Sequence, residues 1–108
     1  MKLVYSTFPS LEDAKKIGTK LLEEQLCGCY NCWPVESGYW WKDEIIHDEE
    51  AACIFKTTGK KRESLMRRLG ELHPYSEPAI FSLSVETVMP SYETWLKEVT
   101  NDAIDCDQ

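Results

Sequence analysis

The longest strand-like pattern of the chain lies near its middle, between Cys29 and Thr57. Aromatic residues crowd its first half and an apolar run ends its second; they are Tyr30, Trp33, Tyr39, Trp40, Trp41 and residues 51–55. Aromatic and β-branched residues favour a pleated, half-buried surface, and Lys42-Asp43 supplies turn chemistry between the halves. The pattern predicts a hairpin of two strands of about 13 residues each, where the usual strand has about 5–6.

A hairpin of this length overhangs the single domain that 108 residues can form. Three of the four tryptophans of the chain lie in it. A large exposed apolar patch is typical of a partner surface. Self-association is therefore the first functional expectation.

A strand and a helix precede the hairpin. The strand covers residues 3–8 and stops at Pro9. Ser10 then caps a helix, with Asp13 at the acidic position of a capping box. Apolar and small residues follow at helical spacing and form one buried stripe; they are Leu11, Ala14, Ile17, Gly18, Leu21 and Leu22.

Two helices and a strand follow the hairpin. A helix from about residue 60 to residue 72 has a basic first turn, which opposes the helix dipole, and His73-Pro74 ends it. Residues 79–88 alternate as a half-buried strand, with Phe81 facing one way and Ile80 the other. Pro90 opens a third, short helix. Residues 101–108 are predicted to be a flexible acidic tail, which leaves one domain over residues 1–100.

The order β-α-β-β-α-β plus a terminal helix predicts an α+β fold, the split-βαβ or ferredoxin-like sandwich. Both main helices then lie on one face of a four-stranded sheet, and the other face stays open. Pro34 places the first hairpin strand at an edge or a bulge. The aromatic content of the open face again favours a neighbouring subunit.

Composition narrows the possible functions. Hydrophobic residues make up 43% and charged residues 29%, which is typical of a globular domain. The net charge of −7 argues against nucleic-acid binding, which needs a basic face. No segment approaches the about 20 apolar residues of a membrane span. The N-terminus enters a strand pattern without a signal-peptide core, so we expect a cytoplasmic protein.

The five cysteines are Cys27, Cys29, Cys32, Cys53 and Cys106. The odd number and a reducing cytoplasm predict no structural disulfide. Thiolates suit Cu(I) and Zn²⁺, but on an extended strand Cys27 and Cys29 share one face and Cys32 takes the other. A metal cage there would need a bulge or a second chain. The alternative is packing, since free cysteine behaves as a small hydrophobe.

Several fragments occur in register along one known family pattern. They are Tyr5-Ser-Thr-Phe-Pro9, Leu21-Leu-Glu-Glu-Gln-Leu26, Cys29-Tyr-Asn31 with Pro34-Val35, Tyr39-Trp-Trp41, Lys56-Thr57 and, most specific, Leu72-His-Pro-Tyr75 with Pro78-Ala-Ile80. From Val4 to Thr100 the chain resembles the CutA family of divalent-cation tolerance proteins. The resemblance implies a ferredoxin-like fold, a tight PII-like homotrimer, and metal binding tied to tolerance of copper and other divalent cations.

The chain departs from the family pattern at three places. Asp43 stands at the hairpin turn, where the family usually has glycine. Ser76 follows His73-Pro-Tyr75 in place of an acid, and the acid comes one residue later as Glu77, which reverses its direction on an extended segment. Cys27 and Cys32 stand where the family mostly has small or aliphatic residues.

The predicted metal ligands are Cys29, His73 and Glu77, with Cu²⁺ as the expected cation. Cys29 holds the cysteine position of the family, and imidazole is the commonest copper and zinc ligand. His73 could instead cap the last carbonyls of its helix. His47 lies beside three acids and could hold a hard cation weakly, although a solvated strand end explains the run as well. Lys56, Tyr75 and Glu77 could line a cleft between subunits.

Two functions remain after these considerations. The first is a homotrimeric cytoplasmic protein that binds divalent cations. The second is a PII-like regulatory or scaffolding trimer that takes a small ligand or a protein partner in its inter-subunit clefts. Catalysis is not expected, because the sequence has no Gly-rich phosphate loop and a Cys29–His73 pair lacks an orienting third group.

Overall fold

A computed structural model of the protein describes residues 1–102, and it confirms the α+β, ferredoxin-like prediction. Its elements are β1 (Lys2–Phe8), α1 (Leu11–Glu23), β2 (Cys29–Trp41), β3 (Glu44–Thr57), α2 (Arg62–Leu72), β4 (Ile80–Ser84) and α3 (Pro90–Val99). The strands form one antiparallel sheet in the order β2-β3-β1-β4. The remainder of the predicted tail, with Cys106, lies outside the described residues.

Helix α1 begins where the sequence predicts. The hydroxyl of Ser10 accepts a hydrogen bond from the Asp13 N–H at 3.1 Å. It also donates to the Asp13 carboxylate at 3.0 Å, so the acid meets the serine side chain and not the backbone N–H of a full capping box. The helix buries Ala14, Gly18 and Leu21, which confirms the predicted stripe.

The core lies between the sheet and helices α1 and α2. Alternate β1 residues, Val4, Ser6 and Phe8, are fully buried. Phe8 meets Phe55 of β3 edge to face, with ring centroids 6.3 Å apart. The same cluster contains Ala14, Leu21, Cys27, Ala51, Cys53, Leu65 and Leu69. Helix α1 therefore joins the sheet through aromatic and aliphatic contacts.

Gly18 allows α1 to approach β2 closely. A Cβ atom at this position would lie 2.8 Å from Cδ2 of the Tyr30 ring. Gly70 of α2 offers a comparison, since its nearest such contact is Ile80 Cδ1 at 4.0 Å. The two helical glycines thus differ in the space available beside them.

We expect Gly18→Ala to lower the free energy of unfolding and Gly70→Ala to raise it. Alanine is favoured over glycine inside a helix by about 1 kcal/mol, which Gly70→Ala should gain in large part. At Gly18 the overpacking against Tyr30 costs about 1–3 kcal/mol and exceeds that gain. Denaturant titration of both variants checks the opposite signs, and a stabilised Gly18→Ala protein would contradict the proposed close packing.

The hairpin extends beyond the rest of the sheet. Strands β2 and β3 pair from Cys29↔Lys56 to Trp41↔Glu44, whereas β1 reaches β3 only from Thr57 to Ala51. Residues 35–50 therefore form a two-stranded arm, and the molecule measures 52 × 25 × 21 Å. Lys42 and Asp43 have φ of 48° and 66°, as both central residues of a type I′ turn require. The turn thus forms without glycine.

Three boundary predictions meet the structure differently. Pro34 does lie on an edge strand, since β2 occupies one outer edge of the sheet. The prediction of a strand over 79–88 was too long: β4 ends at Ser84, opposite Lys2, and the next backbone bond runs from the Val85 N–H to the Met1 carbonyl at 3.3 Å. Helix α2 begins at Arg62, two residues after the predicted start, and the Thr58 hydroxyl accepts from the Lys61 N–H at 3.2 Å in the turn before it.

The second face of the sheet carries an uncovered apolar strip. Phe81 and Leu83 of β4 are 46% and 47% exposed, and Phe81 packs on Tyr5 with centroids 5.0 Å apart. Trp33 of β2 is 38% exposed. We call Tyr5, Trp33, Phe81 and Leu83 the open-face strip. Within residues 1–102, no helix combines the length and apolarity needed to cross a membrane.

Candidate functional site

A cleft of about 590 Å³ opens where the arm leaves the sheet. Its walls come from the arm, which includes Glu50 of β3, from β1 and from the segment after α2. Tyrosine, tryptophan and glutamate side chains predominate among them, including Tyr5, Tyr39, Trp41, Glu50, Tyr75 and Glu77. The cleft is therefore aromatic and acidic.

Two phenol–carboxylate pairs fix the geometry of this region. The Tyr75 hydroxyl donates to Glu50 Oε2 at 2.6 Å, and the Tyr39 hydroxyl donates to the Asp48 carboxylate. Burial and the bond to Glu50 raise the pKa of Tyr75, and the bond to Asp48 raises the pKa of Tyr39. Both phenols therefore stay protonated at neutral pH, and the carboxylates keep lone pairs for a cation or a donor.

These pairs change the interpretation of the acidic run near His47. Its acids are partly engaged by tyrosines, not only solvated. The register offered a signal for one pair, because Tyr39 lies opposite Ile46 and Asp48 is then its diagonal neighbour on the same face. The sequence offers no comparable signal for Tyr75 and Glu50, whose contact joins separate elements.

Both ring nitrogens of the predicted ligand His73 are already engaged. Nε2 lies 2.9 Å from the Thr7 carbonyl oxygen and 3.0 Å from the Ser6 hydroxyl. Since a carbonyl only accepts, Nε2 carries the proton, and Nδ1 accepts from the Tyr75 N–H at 3.2 Å. His73 thus ties α2 to β1 instead of capping the carbonyls of α2, and a metal would have to displace one of these bonds.

Cys29 lies at the other end of the sheet from His73. Cys29 of β2 pairs with Lys56 of β3, and Lys56 pairs with Leu3 of β1. His73 instead hydrogen-bonds to the Thr7 carbonyl of β1. Four residues of β1 separate these positions, about 13 Å at the rise of a strand. One chain therefore keeps Cys29 and His73 apart.

Glu77 is exposed and lines the cleft, so the three predicted ligands occupy separate places. Among residues 1–102, no group of three or more His, Cys, Asp or Glu residues is arranged to hold a metal ion. Lys56 extends toward Tyr92, with Nζ 5.8 Å from the ring centroid. Within a single chain it does not join Tyr75 and Glu77 at the cleft.

We expect His73 to make stability depend on pH. Burial lowers its pKa below the ordinary value of 6.5, against the opposing effects of Thr7 and Glu50. The unfolded chain then binds the proton more readily than the folded one. The contribution of neutral His73 to the free energy of unfolding is therefore complete above pH 6.5 and is lost as the pH falls through the lowered pKa. One proton limits the slope to about 1.4 kcal/mol per pH unit.

Denaturant titrations between about pH 5.5 and about pH 7.5 should show this contribution in the wild-type protein and not in His73→Gln. Glutamine retains an N–H donor for the Thr7 carbonyl but does not titrate. Equal pH slopes in the two proteins would contradict the assignment.

The chain matches the family described as CutA1 divalent ion tolerance protein over residues 2–99. The divalent-cation tolerance protein CutA of Thermotoga maritima is 55% identical over 98 residues, which cover 91% of this chain and 97% of the relative. The protein of the same name from Pyrococcus horikoshii is 42% identical over 100 residues, covering 93% and 98%. Sequence similarity thus extends over nearly the whole of both relatives.

Solved structures agree with this result. Pyrococcus horikoshii CutA1 superposes with a TM-score of 0.89 at 40% identity, covering 92% of this chain and 97% of that one. A PII-like protein CutA from Nostoc gives 0.87 at 31% identity, covering 93% and 97%. A third, described as the periplasmic divalent cation tolerance protein CutA of Archaeoglobus fulgidus, gives 0.89 at 33%, covering 93% and 99%. The chain belongs to the CutA family of divalent-cation tolerance proteins.

Proposed function

We propose that this protein is a homotrimer that binds divalent cations, copper foremost, and contributes to cation tolerance. The open-face strip carries the proposal of assembly, because an apolar strip beside a projecting arm is typical of a partner surface. The names of the relatives support the link to divalent cations, and the description of the Nostoc protein as PII-like supports the trimer.

We place the cation site between subunits. Cys29 and Glu77 lie too far apart to share a cation within one chain but can meet across an interface. Their thiolate and carboxylate donors, with water, suit Cu²⁺ or Zn²⁺. His73 joins this site only by releasing the Tyr75 N–H from Nδ1.

Native mass spectrometry of the reduced protein tests both parts of the proposal. We expect a trimer that retains integral metal when one equivalent of Cu²⁺ or Zn²⁺ per chain is added. Cys29→Ala and Glu77→Gln should lose the metal and keep the trimer, while Glu63→Gln, an exposed acid of α2, serves as the control. A trimer that retains no metal, or an equal metal content in all variants, would contradict the metal site. A monomer would contradict the assembly.

The cleft favours a second candidate function, a PII-like trimer that takes a small ligand or a protein partner. Its aromatic walls and the half-buried Tyr75–Glu50 bond form a shaped surface suited to a ligand with hydrogen-bond donors. Partner capture that is lost in Trp41→Ala, with metal retention unchanged, would support this role. Capture that persists in Trp41→Ala would exclude the cleft as its site.

We further propose a cytoplasmic location, because five cysteines, an odd number, suit a compartment that keeps thiols reduced. The Archaeoglobus fulgidus relative is described as periplasmic, so cell fractionation is the direct test. Recovery in an extracytoplasmic fraction would contradict the proposal.

A further inference from the structure

Two cysteine thiols lie directly opposite each other on neighbouring strands. Cys32 of β2 pairs with Cys53 of β3 in the antiparallel register, so both side chains lie on the same face of the sheet. Cys53 is fully buried in the core, and the half-buried Cys32 packs against that core. Both are free thiols. The fold therefore holds a dithiol beneath the helices.

The register fits a bridging cation better than a disulfide. Directly opposite residues of an antiparallel pair have Cβ atoms about 4.5–5.5 Å apart. A disulfide requires about 3.5–4.5 Å, so the strands would have to move together. Two metal–thiolate bonds of about 2.3 Å, the zinc value, together span about 4.6 Å when set in line. A cation between the sulfurs thus leaves the strands in place.

The buried surroundings of the two thiols favour a divalent cation over a monovalent one. Burial and the neighbouring Cys32 raise the pKa of Cys53, so the Cys53 thiol is neutral until a metal displaces its proton. An uncompensated charge in the core is costly. Two thiolates cancel the charge of a divalent cation, whereas a monovalent cation such as Cu(I) leaves one negative charge buried. Thiolates also favour soft metals.

We propose that Cys32 and Cys53 form a binding site for a soft divalent cation that takes two ligands in line, with Hg²⁺ as its probe. Each thiol forms one sulfur–metal bond and releases its proton to the buffer, so one cation displaces two protons and no electron is transferred. Cys32 lies on the edge strand β2 and is the point of entry. The site is on the opposite sheet face from Cys29 and is independent of the function proposed above.

Mercury retention under competition tests this site. We expect the reduced wild-type chain, given one equivalent of Hg²⁺ and then dialysed against glutathione, to keep one mercury. X-ray absorption should show two sulfur ligands, and a pH indicator should report two protons released. Two thiols on one rigid sheet act intramolecularly, so losing either should weaken retention by about a hundredfold or more.

The variants are Cys32→Ser and Cys53→Ala, with Cys27→Ala as the control from the same core cluster. The two site variants should lose mercury and Cys27→Ala should retain it; Cys32→Ser, on the edge strand, decides the outcome if Cys53→Ala does not fold. The proposal would be overturned if Cys32→Ser kept mercury or if Cys27→Ala lost it. It would also be overturned if the wild-type protein lost two hydrogens in mass without binding mercury, which would indicate a disulfide. Cu²⁺ retention measured on Cys32→Ser and Cys29→Ala separates this site from the inter-subunit one, since only Cys29→Ala should lose copper.

Discussion

Replacing Phe8 by alanine should lower the free energy of unfolding by about 3–5 kcal/mol, the usual cost of removing a buried phenylalanine. Phe8 is fully buried. Its ring meets Phe55 edge to face and stacks on the His73 ring, with centroids 4.6 Å apart. The truncation therefore opens a cavity at the contact between β1 and the end of α2.

Denaturant titration at fixed protein concentration measures this loss, because the stability of the proposed trimer would depend on concentration. Phe8→Leu is the matched control, since it keeps most of the apolar volume and should lose less than half as much. The loosened His73 should also lose part of its pH effect in Phe8→Ala. A loss near 1 kcal/mol, the level of an ordinary substitution, would mean that Phe8 does not organise the core.

Phe81→Glu should dissociate the proposed trimer. Phe81 lies in the open-face strip, and in the assembly a glutamate there would be buried without a partner. The effective cost of such a charge is several kcal/mol per ion, and each 1.4 kcal/mol is about tenfold in affinity. The association should therefore weaken by about a thousandfold or more.

Sedimentation velocity checks this expectation directly. Thr19→Glu adds the same charge on the exposed side of α1 and should leave the trimer intact. Because Phe81 is already half-exposed in the single chain, Phe81→Glu should still give folded monomers by circular dichroism. A trimer of wild-type affinity would place the interface elsewhere.

The hairpin could be predicted from sequence because its information is local. Closely spaced aromatic residues and turn chemistry at Lys42-Asp43 indicate two strands whatever the rest of the chain does. The end of β4 could not be predicted from the alternation of residues 79–88, because a strand also needs a partner and the pairing with β1 stops at Lys2. The residues of the family pattern likewise carried the fold, because they lie in register along the whole domain.

The site was predicted less well, for a physical reason. Residue types such as cysteine, histidine and glutamate indicate donors, but the sheet register decides which donors meet. It keeps Cys29 away from His73, and it places Cys32 opposite Cys53. His73 further shows that both nitrogens of a common metal-ligand residue can be occupied by hydrogen bonds to backbone groups. Contacts between separate elements, such as Tyr75 with Glu50, leave no periodic trace in the sequence.

In the proposed trimer, the last stage of folding, the ordering of the two-stranded arm, depends on association with another copy of the chain. An isolated two-stranded hairpin is marginally stable in water, and within residues 1–102 no third strand pairs with residues 35–50. In the proposed trimer the body of each domain can form alone, whereas the arm should gain its lasting order when another copy covers it. On the proposed assembly, newly made chains at low concentration should have a frayed, tryptophan-rich arm that proteases can reach. Protection of the arm amides from hydrogen exchange should then rise with protein concentration, while protection of the core amides should not.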